Sequence, residues 1–478
     1  MAKLSTSKIV SIIIVVALMF GLQFVPPVGP LTPTGMHVLG IFLGAVIGWS
    51  VVDLIWTSIL AIISMSFVDG YTLASVTAGG FGSGTFWIIL FMLMFVMVFE
   101  RAGGTQFIAV WFITRKFSQG KPVVFTFMFL FAAFLVGMLN GIASCILFYT
   151  VLYSICSQVG YKPHDKYPTL MILGITFAAM FGSISHSLLG SPLILAGAFK
   201  AASGIDLTLI DFITVCWPFA VFMLLVFSFA IKYVFRCDLK AIQDLDVESV
   251  VDMNTLKMTP RLKVMMGFTV VLVLGIAGGA LLPAAWKVTQ ILNALGLQGL
   301  AMVLLAILTW WKVEDKFLFD FREYTNTIQW DCLLICATIM PLSGMLTMSG
   351  TGIDLFISSI LGGFLSSLPA TVFVAAVLLM GAILTNFGNN VSICILLMPV
   401  ILSVCNTLGI DPAPLYMVLI FAVHLAMLTP GACPYAALVW GNTEWLTPGE
   451  IYKYATGVMV IFYILIIVVG YQWAQFML

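Results

Sequence analysis

The chain is 478 residues long, and 62% of its residues are hydrophobic while only 8% are charged. A soluble domain is roughly 45–50% apolar and about 25% charged, so this composition excludes a soluble protein of this size. The 20 basic and 20 acidic residues give a formal net charge of zero, which argues against nucleic acid as a partner. The nine cysteines have no CxxC metal-binding spacing and are expected to be small buried residues.

Apolar segments make up most of the chain, and they are long enough to cross roughly 30 Å of hydrocarbon as helices. They predict an all-α polytopic membrane protein embedded in the lipid bilayer. The first apolar run, 9–25, follows Lys3 and Lys8 and ends at Val25-Pro26 without a small-residue cleavage site. We therefore expect an uncleaved helix in the cell inner (plasma) membrane, with its N-terminus in the cytoplasm.

A polar segment near the middle of the chain divides the other spans into two sets. It covers residues 236–263 and is expected to be a cytoplasmic linker. The predicted organisation is an N-terminal helix (1–35), a first repeat (36–235), this linker and a second repeat (264–478). Spans are predicted at 36–50, 52–68, 86–113, 122–160, 168–200 and 211–235, and then at 264–282, 289–311, 329–348, 353–366, 369–408, 414–441 and 454–475.

Two segments of the chain resemble each other at a constant offset of 249 residues. Most of the identical pairs lie between an asparagine and a glycine 20 residues later, and the same offset also pairs a proline and a tyrosine beyond that glycine. Shared hydrophobic composition does not readily produce paired Asn, Cys, Ser, Gly and Pro, so the match indicates an internal duplication. The identical pairs are Asn140/Asn389, Cys145/Cys394, Ile146/Ile395, Leu147/Leu396, Val151/Val400, Ser154/Ser403, Cys156/Cys405, Gly160/Gly409, Pro163/Pro412 and Tyr167/Tyr416.

The charges around the two repeated segments differ. No basic residue lies between Arg322 and Lys453, and the ends of the second segment carry Asp354 and Asp411 instead. Basic residues favour the cytoplasmic side, so the segments 122–160 and 369–408 are predicted to be re-entrant hairpins that enter from opposite faces. This is the inverted repeat found in many secondary transporters, although two ordinary pairs of crossings remain an alternative. The basic residues that flank the first segment are Arg115, Lys116, Lys121, Lys162 and Lys166.

Polar residues lie at the centres of both predicted hairpins, which otherwise contain no ionisable group except Cys or Tyr. One centre is 140–144, which reads NGIAS, and the other is 385–392, which reads TNFGNNVS. Gly beside Asn is typical of a turn, and irregular backbone at membrane depth is tolerated where it lines a cavity or is buried in protein. The following helix N-terminus would suit a carboxylate, and the Asn oxygens would suit a hard cation. Interhelical hydrogen bonding is the alternative role for these residues.

A broken span follows each hairpin. The first break is 182–192, with the sequence GSISHSLLGSP, and the second is 429–435, with the sequence TPGACPY. Gly and Pro interruptions at corresponding places in two halves indicate a transporter's binding site, although a proline kink without function is an alternative.

Five ionisable residues in or near the spans have individual predictions. His186 in the first break is a possible proton relay, with a hydrogen-bonded structural imidazole as an equal alternative. His424 is expected to be structural, and Asp53 is expected to cap a helix or lie at its boundary. Glu100 and Arg101 are expected to form a local pair near the end of their helix.

These motifs together resemble the divalent anion:sodium symporter family of the ion transporter superfamily. The resemblance covers most of the chain, including the short helices around 49–53 and the glycine-rich entry at 79–82. It implies about eleven transmembrane helices with inverted repeats, two re-entrant hairpins, a homodimer and an elevator-type movement. Family members carry dicarboxylates, citrate or sulfate, mostly with sodium, and some are exchangers.

The family has a Ser-Asn-Thr triplet at each hairpin tip and Thr-Pro-Pro-Asn at each broken span. The corresponding residues here are 139–141 (LNG) and 389–391 (NNV) at the tips, and 191–194 (SPLI) and 433–436 (CPYA) at the breaks. The central Asn of each tip and one proline of each break are therefore present, while the flanking Ser and Thr residues are not.

The leading hypothesis is a secondary active transporter of a small organic anion of the di- or tricarboxylate class, with no cofactor and with Na⁺ as the candidate coupling ion. Alternatives are a proton-coupled transporter or exchanger of another small solute, and a non-transporting membrane scaffold. An enzyme is not expected, because the chain has neither an HExxH motif nor a Walker A sequence. The predicted substrate-binding residues are Asn140, Gly141, Asn389, Asn390, Val391, Ser191, Pro192 and Pro434. The predicted sodium ligands are Asn140, Ser144, Thr385, Gly388 and Asn390.

Overall fold

The structure is a computed structural model, and it describes residues 6–114, 120–188, 190–243, 256–283, 285–325, 328–346, 348–353, 355–356, 359 and 369–478. Some of the predictions fall outside these residues. They concern Arg115, Lys116, Asp354, the middle of the linker and most of the predicted span 353–366.

Helices dominate the first half of the chain. The first helix continues through a π-helical turn and a short 3₁₀ turn to Phe24. The helices are α1 (Thr6–Val16), α2 (Pro33–Val51), α3 (Leu54–Met65), α4 (Leu73–Phe81), α5 (Gly84–Arg101), α6 (Gly104–Ile113), α7 (Pro122–Gly137), α8 (Gly141–Val159), α9 (Lys166–Ile184), α10 (Gly190–Ser203), α11 (Leu209–Tyr233) and α12 (Lys240–Gln243).

Helices also dominate the described residues of the second half, which include one antiparallel pair of two-residue strands, β1 (Lys312–Val313) and β2 (Lys316–Phe317). Its last two helices are joined by a π-helical turn, Ile466–Gly470. The helices are α13 (Pro260–Leu281), α14 (Lys287–Trp310), α15 (Phe321–Thr325), α16 (Trp330–Leu346), α17 (Ala370–Leu384), α18 (Asn390–Leu408), α19 (Pro412–Val423), α20 (Pro434–Gly441), α21 (Pro448–Leu465) and α22 (Tyr471–Met477).

Eight helical segments within the described residues are long and apolar enough to cross a membrane, and shorter apolar helices accompany them. The prediction of an all-α polytopic membrane protein is therefore confirmed. The predicted span 86–113 is two helices rather than one, because the chain breaks at Gly103, whose φ is +89°. Asp53 caps α3 as expected: its carboxylate accepts a hydrogen bond of 2.7 Å from the backbone N–H of Trp56.

The segment 122–160 folds back on itself at residues 138–140. The rings of Phe129 and Phe148 lie 5.2 Å apart across α7 and α8, and the Ser144 hydroxyl donates to the carbonyl of Ala133 at 2.7 Å. These contacts pair residues at nearly equal distances on either side of the turn, so the two helices are antiparallel.

The helices that follow the two hairpin tips match in length and in both caps. Each has 19 residues, and each begins after an asparagine whose side chain caps the first turn, Asn140 for α8 and Asn389 for α18. Each ends at a glycine in the left-handed region, Gly160 with φ +83° and Gly409 with φ +65°. The offset of 249 residues therefore holds for the local structure as well as for the sequence.

Two buried helices form the centre of the molecule and support the hairpins. Helix α9 packs on α7 and α8, and α19 packs on α17 and α18. Nearly every residue of α9 and α19 is buried, and the rings of Phe181 and Phe421 lie 5.6 Å apart between them. The chain breaks at the end of both helices, which places both broken spans beside the hairpin tips.

Candidate functional site

One cavity of about 650 Å³ lies between the two hairpin tips and the two broken spans. Its wall includes residues from both halves of the chain, and it combines neutral polar groups with a few charged ones. Seven of the residues predicted for the site line it, namely Asn140, Gly141, His186, Ser191, Asn389, Val391 and Pro434.

Four helix N-termini converge on this cavity, those of α8, α10, α18 and α20. The lining residues that mark them are Gly141, Gly190, Asn389 and Pro434. Each N-terminus carries a partial positive charge of roughly 0.5 elementary charge. Some of the first-turn N–H groups are capped, by Asn140 in α8, by Asn389 in α18 and by Cys433 in α20. Together they create a positive region without a lysine or arginine at either tip, so this wall of the cavity suits carboxylate groups.

The first tip is held by Asn140. Its backbone is extended, and its Oδ1 accepts the N–H of Ala143 at 3.1 Å. Because Oδ1 faces the helix, the amide nitrogen is directed away from it and lies 3.5 Å from Oε2 of Glu100. The group that Asn140 presents beyond the helix is therefore a hydrogen-bond donor, which suits an anion better than a cation.

Asn389 and Asn390, which are neighbours in the second tip, have different surroundings. Asn389 lines the cavity, and its Oδ1 accepts from the N–H groups of Val391 and Ser392 at 2.9 and 3.4 Å. Asn390 is buried behind the tip, where its side chain is hydrogen bonded to the Thr385 hydroxyl at 2.9 Å.

Asn386 connects the second tip to the second broken span. Its Oδ1 accepts the N–H groups of Met427 and Leu428 at 3.0 and 2.8 Å, and its Nδ2 donates to the carbonyls of Ala382 and Leu425 at 2.7 and 3.2 Å. The side chain thus supplies partners to backbone that has left the helix after α19. For this asparagine the interhelical hydrogen-bonding role is the one observed.

His186 makes the corresponding connection in the first half. It belongs to the broken span and reaches the tip, whereas Asn386 belongs to the tip and reaches the broken span. Its Nε2 lies 2.6 Å from the carbonyl oxygen of Met138 in the first tip, and its Nδ1 lies 3.3 Å from the N–H of Leu188. This pattern fits a neutral ring that donates through Nε2 and accepts through Nδ1. Nε2 therefore holds the tip, while Nδ1 is bonded within the broken span itself.

The second broken span also contacts the first tip directly. Pro434 is the first residue of α20, where its missing N–H costs no helical hydrogen bond. The hydroxyl of the next residue, Tyr435, donates to the Ser183 hydroxyl at 3.1 Å. A Cβ at Gly141 would overlap this tyrosine hydroxyl, so glycine is required where the two halves meet.

Five of the predicted site residues lie outside the cavity wall. The Ser144 hydroxyl is bonded to the Ala133 carbonyl, and the Thr385 hydroxyl is bonded to Asn390 and to the carbonyl of Val423. Two of the hydroxyl groups predicted to bind sodium therefore donate hydrogen bonds to the protein. The five residues are Asn390, Pro192, Ser144, Thr385 and Gly388.

Charged residues also line the cavity, and sequence reasoning missed them. Glu100, Arg101 and Asp331 are on its wall. The expected local pair of Glu100 and Arg101 is wrong, because Arg101 instead forms an ion pair with Glu323 and places its guanidinium carbon 4.2 Å from the ring centre of Tyr324. The sequence contains one signal that could have pointed to the cavity role of these residues: Glu100 and Arg101 are the only charged residues between Asp69 and Arg115.

Curated relatives of this chain are described as transporters. An uncharacterized transporter from Haemophilus influenzae is 24% identical over 355 residues, which cover 72% of each chain. The uncharacterized transporter YfbS from Escherichia coli is 25% identical over 125 residues, which cover 26% of this chain and 20% of YfbS.

A solved structure shares the fold. The crystal structure of the YdaH transporter from Alcanivorax borkumensis, described as having an unusual topology, aligns over 99% of both chains with a TM-score of 0.58 and 16% sequence identity. The CitMHS family, described as citrate transporter, matches residues 41–422. The narrower resemblance to divalent anion:sodium symporters stays a prediction. The chain belongs to the CitMHS citrate transporter family.

Proposed function

We propose that this protein is a secondary active transporter of small organic anions of the di- or tricarboxylate class. The observation that carries the proposal is the convergence of four helix N-termini and two asparagine caps on one cavity. Neutral amides and N–H groups can hold carboxylates there without a fixed lysine or arginine at the tips. A volume of about 650 Å³ is within the range of small-molecule sites.

The meeting of the two tips supports alternating access. If each hairpin crossed the whole membrane, the tips would lie at membrane surfaces, whereas tips that line one cavity fit hairpins that enter from opposite faces. Movement of the hairpins and broken spans against the other helices would then expose the anion to each side in turn. Elevator-type motion and inverted orientation are parts of this proposal.

The proposal also includes a coupling cation, with sodium as the first candidate, and a homodimer in the plasma membrane with a cytoplasmic N-terminus. Lys3 and Lys8 before the first helix support this orientation through the positive-inside rule. A proton-coupled transporter or an exchanger remains the second candidate. Uptake into proteoliposomes under a sodium gradient, a pH gradient or neither separates these modes.

Counterflow of radiolabelled citrate and succinate in proteoliposomes tests the site. We expect Asn140→Ala and Asn389→Ala each to reduce counterflow about tenfold or more, because each loses a polar group at a helix N-terminus on the cavity wall. Asn293→Ala is the matched control, since Asn293 is exposed on α14. Unchanged counterflow in both cavity variants, with folded protein, would contradict the site assignment.

A further inference from the structure

Glu100 is an acidic side chain in a cavity whose other features favour anions. Its Oε1 is buried without a hydrogen-bond partner in the described structure, and its Oε2 has a long contact of 3.5 Å with Nδ2 of Asn140. A buried carboxylate oxygen without a donor is costly, particularly within a membrane protein. The carboxylate groups of the proposed substrate leave this oxygen without a partner.

The nearest basic side chain along the chain does not satisfy Glu100. Arg101 is directed to Glu323 and Tyr324 at the edge of the cavity, and the other acidic residue on the wall is Asp331. The cavity therefore has two poles, a positive one formed by the helix N-termini and a negative one formed by the Glu100 carboxylate.

The two poles are adjacent at the first tip. Asn140 caps the N-terminus of α8 with its amide oxygen, and its amide nitrogen lies beside Glu100. A ligand carboxylate at this N-terminus would therefore be close to a second carboxylate, and the two like charges would repel each other. A cationic group on the ligand would remove this repulsion and give Oε1 a hydrogen-bond donor.

We infer that the transported anion carries an ammonium group next to a carboxylate, as α-amino acids and α-amino dicarboxylates do, and that Glu100 binds this ammonium. The inference rests on the proposed function and makes its substrate class more specific. The carboxylates bind at the helix N-termini, while the ammonium group donates to Glu100. Because amino and carboxylate groups on one carbon atom are close together, they match the adjacent poles at Asn140.

Two pairs of compounds that differ only in an amino group test this assignment. Binding of succinate and L-aspartate, and of glutarate and L-glutamate, is measured at one neutral pH on the purified full chain in lipid nanodiscs. We expect the amino compound of each pair to bind about tenfold or more tightly. Glu100→Gln should bring the two compounds of each pair to similar affinity, and Glu100→Asp should keep part of the preference.

Glu314→Gln is the matched control, because Glu314 is exposed in the turn between β1 and β2. The tryptophan fluorescence unfolding temperature checks that each variant is folded. If the dicarboxylates bind and the amino compounds bind no better, the inference is overturned while the proposed function stands. If acidification strengthens L-aspartate binding in the wild type but not in Glu100→Gln, Glu100 binds a proton rather than the ammonium group, and the inference is also overturned. If none of the four compounds nor citrate binds, both are overturned.

Discussion

The helices that follow the two hairpin tips share a framework, which is their equal length and their matching caps. The two hairpins nevertheless connect to their broken spans in opposite ways. In the first half, His186 of the broken span is hydrogen bonded to the tip carbonyl of Met138. In the second half, Asn386 of the tip reaches the backbone of the broken span. The residue that corresponds to Asn386 at the 249-residue offset is Gly137. Duplication thus preserved the helix caps, while the contacts that hold each break evolved separately.

This difference leaves the two tips with different freedom to bind ligands. The second tip has an interior network in which the side-chain oxygen atoms of Thr385, Asn386 and Asn390 are bonded to protein, while the buried Ser392 hydroxyl has no partner in the described structure. At the first tip, the amide nitrogen of Asn140 has only a long contact with Glu100, whose other oxygen has no partner. The comparison indicates that the second tip is braced by more contacts to the protein behind it, while Asn140 and Glu100 at the first tip keep polar atoms available to a ligand.

Asn386→Ala should have the largest effect on stability. The substitution leaves two N–H groups and one carbonyl of the unwound segment without their side-chain partner. Each buried polar group that loses its partner costs about 1–3 kcal/mol, so we expect a loss of roughly 3 kcal/mol or more. Thermal unfolding in detergent measures it, with Asn293→Ala as the exposed control. A variant as stable as this control would contradict the bracing role of Asn386.

Gly137→Ala tests the equivalent position of the first hairpin. A Cβ there would lie 2.5 Å from the carbonyl oxygen and 2.7 Å from the Cα of Ala179. Since backbone must move to accommodate it, we expect destabilisation of about 1–3 kcal/mol. Gly267→Ala is the matched control on α13, because no atom lies within 4 Å of its added Cβ. If both alanine variants unfold at the same temperature, close packing of the first tip on α9 is not important for stability.

Gly160→Ala and Gly409→Ala should have equal and smaller effects. Both glycines end hairpin helices in the left-handed region, and neither added Cβ meets another atom within 4 Å. The cost is then only that of the backbone conformation, about 1–2 kcal/mol. The two unfolding temperatures should fall by the same amount. Clearly unequal shifts would indicate that the shared framework differs at this end of the hairpins.

His186→Gln should have the smallest effect. Glutamine can still donate to the carbonyl of Met138, so we expect a stability loss of about 0.5–1.5 kcal/mol. Because both ring nitrogens of His186 are engaged, we expect the pH dependence of citrate uptake to persist in this variant. Uptake in proteoliposomes across a pH series measures it. Loss of the pH response with retained uptake would instead establish His186 as a proton relay.

The features of the site that could be predicted are those that depend on residues close together in the chain. The asparagines at both tips, the breaks after the buried helices and the cap at Asp53 depend on local turn and capping preferences. Seven predicted residues consequently line one cavity. Sequence reasoning could not separate Asn389, which faces the cavity, from Asn390, which is buried behind it. Neighbours in a helix point in different directions, and only packing decides which of them meets the cavity.

The sequence by itself determined the membrane class, the helical fold and the two related hairpins, because hydropathy, helix breakers and caps act over a few residues. The tertiary structure decided what each polar side chain contacts. Glu100 meets Asn140, 40 residues away, and Arg101 pairs with Glu323, 222 residues away, so an adjacent acid and base do not pair with each other. Such contacts depend on how distant helices pack, because packing alone determines which donor lies within hydrogen-bond distance of a buried charge.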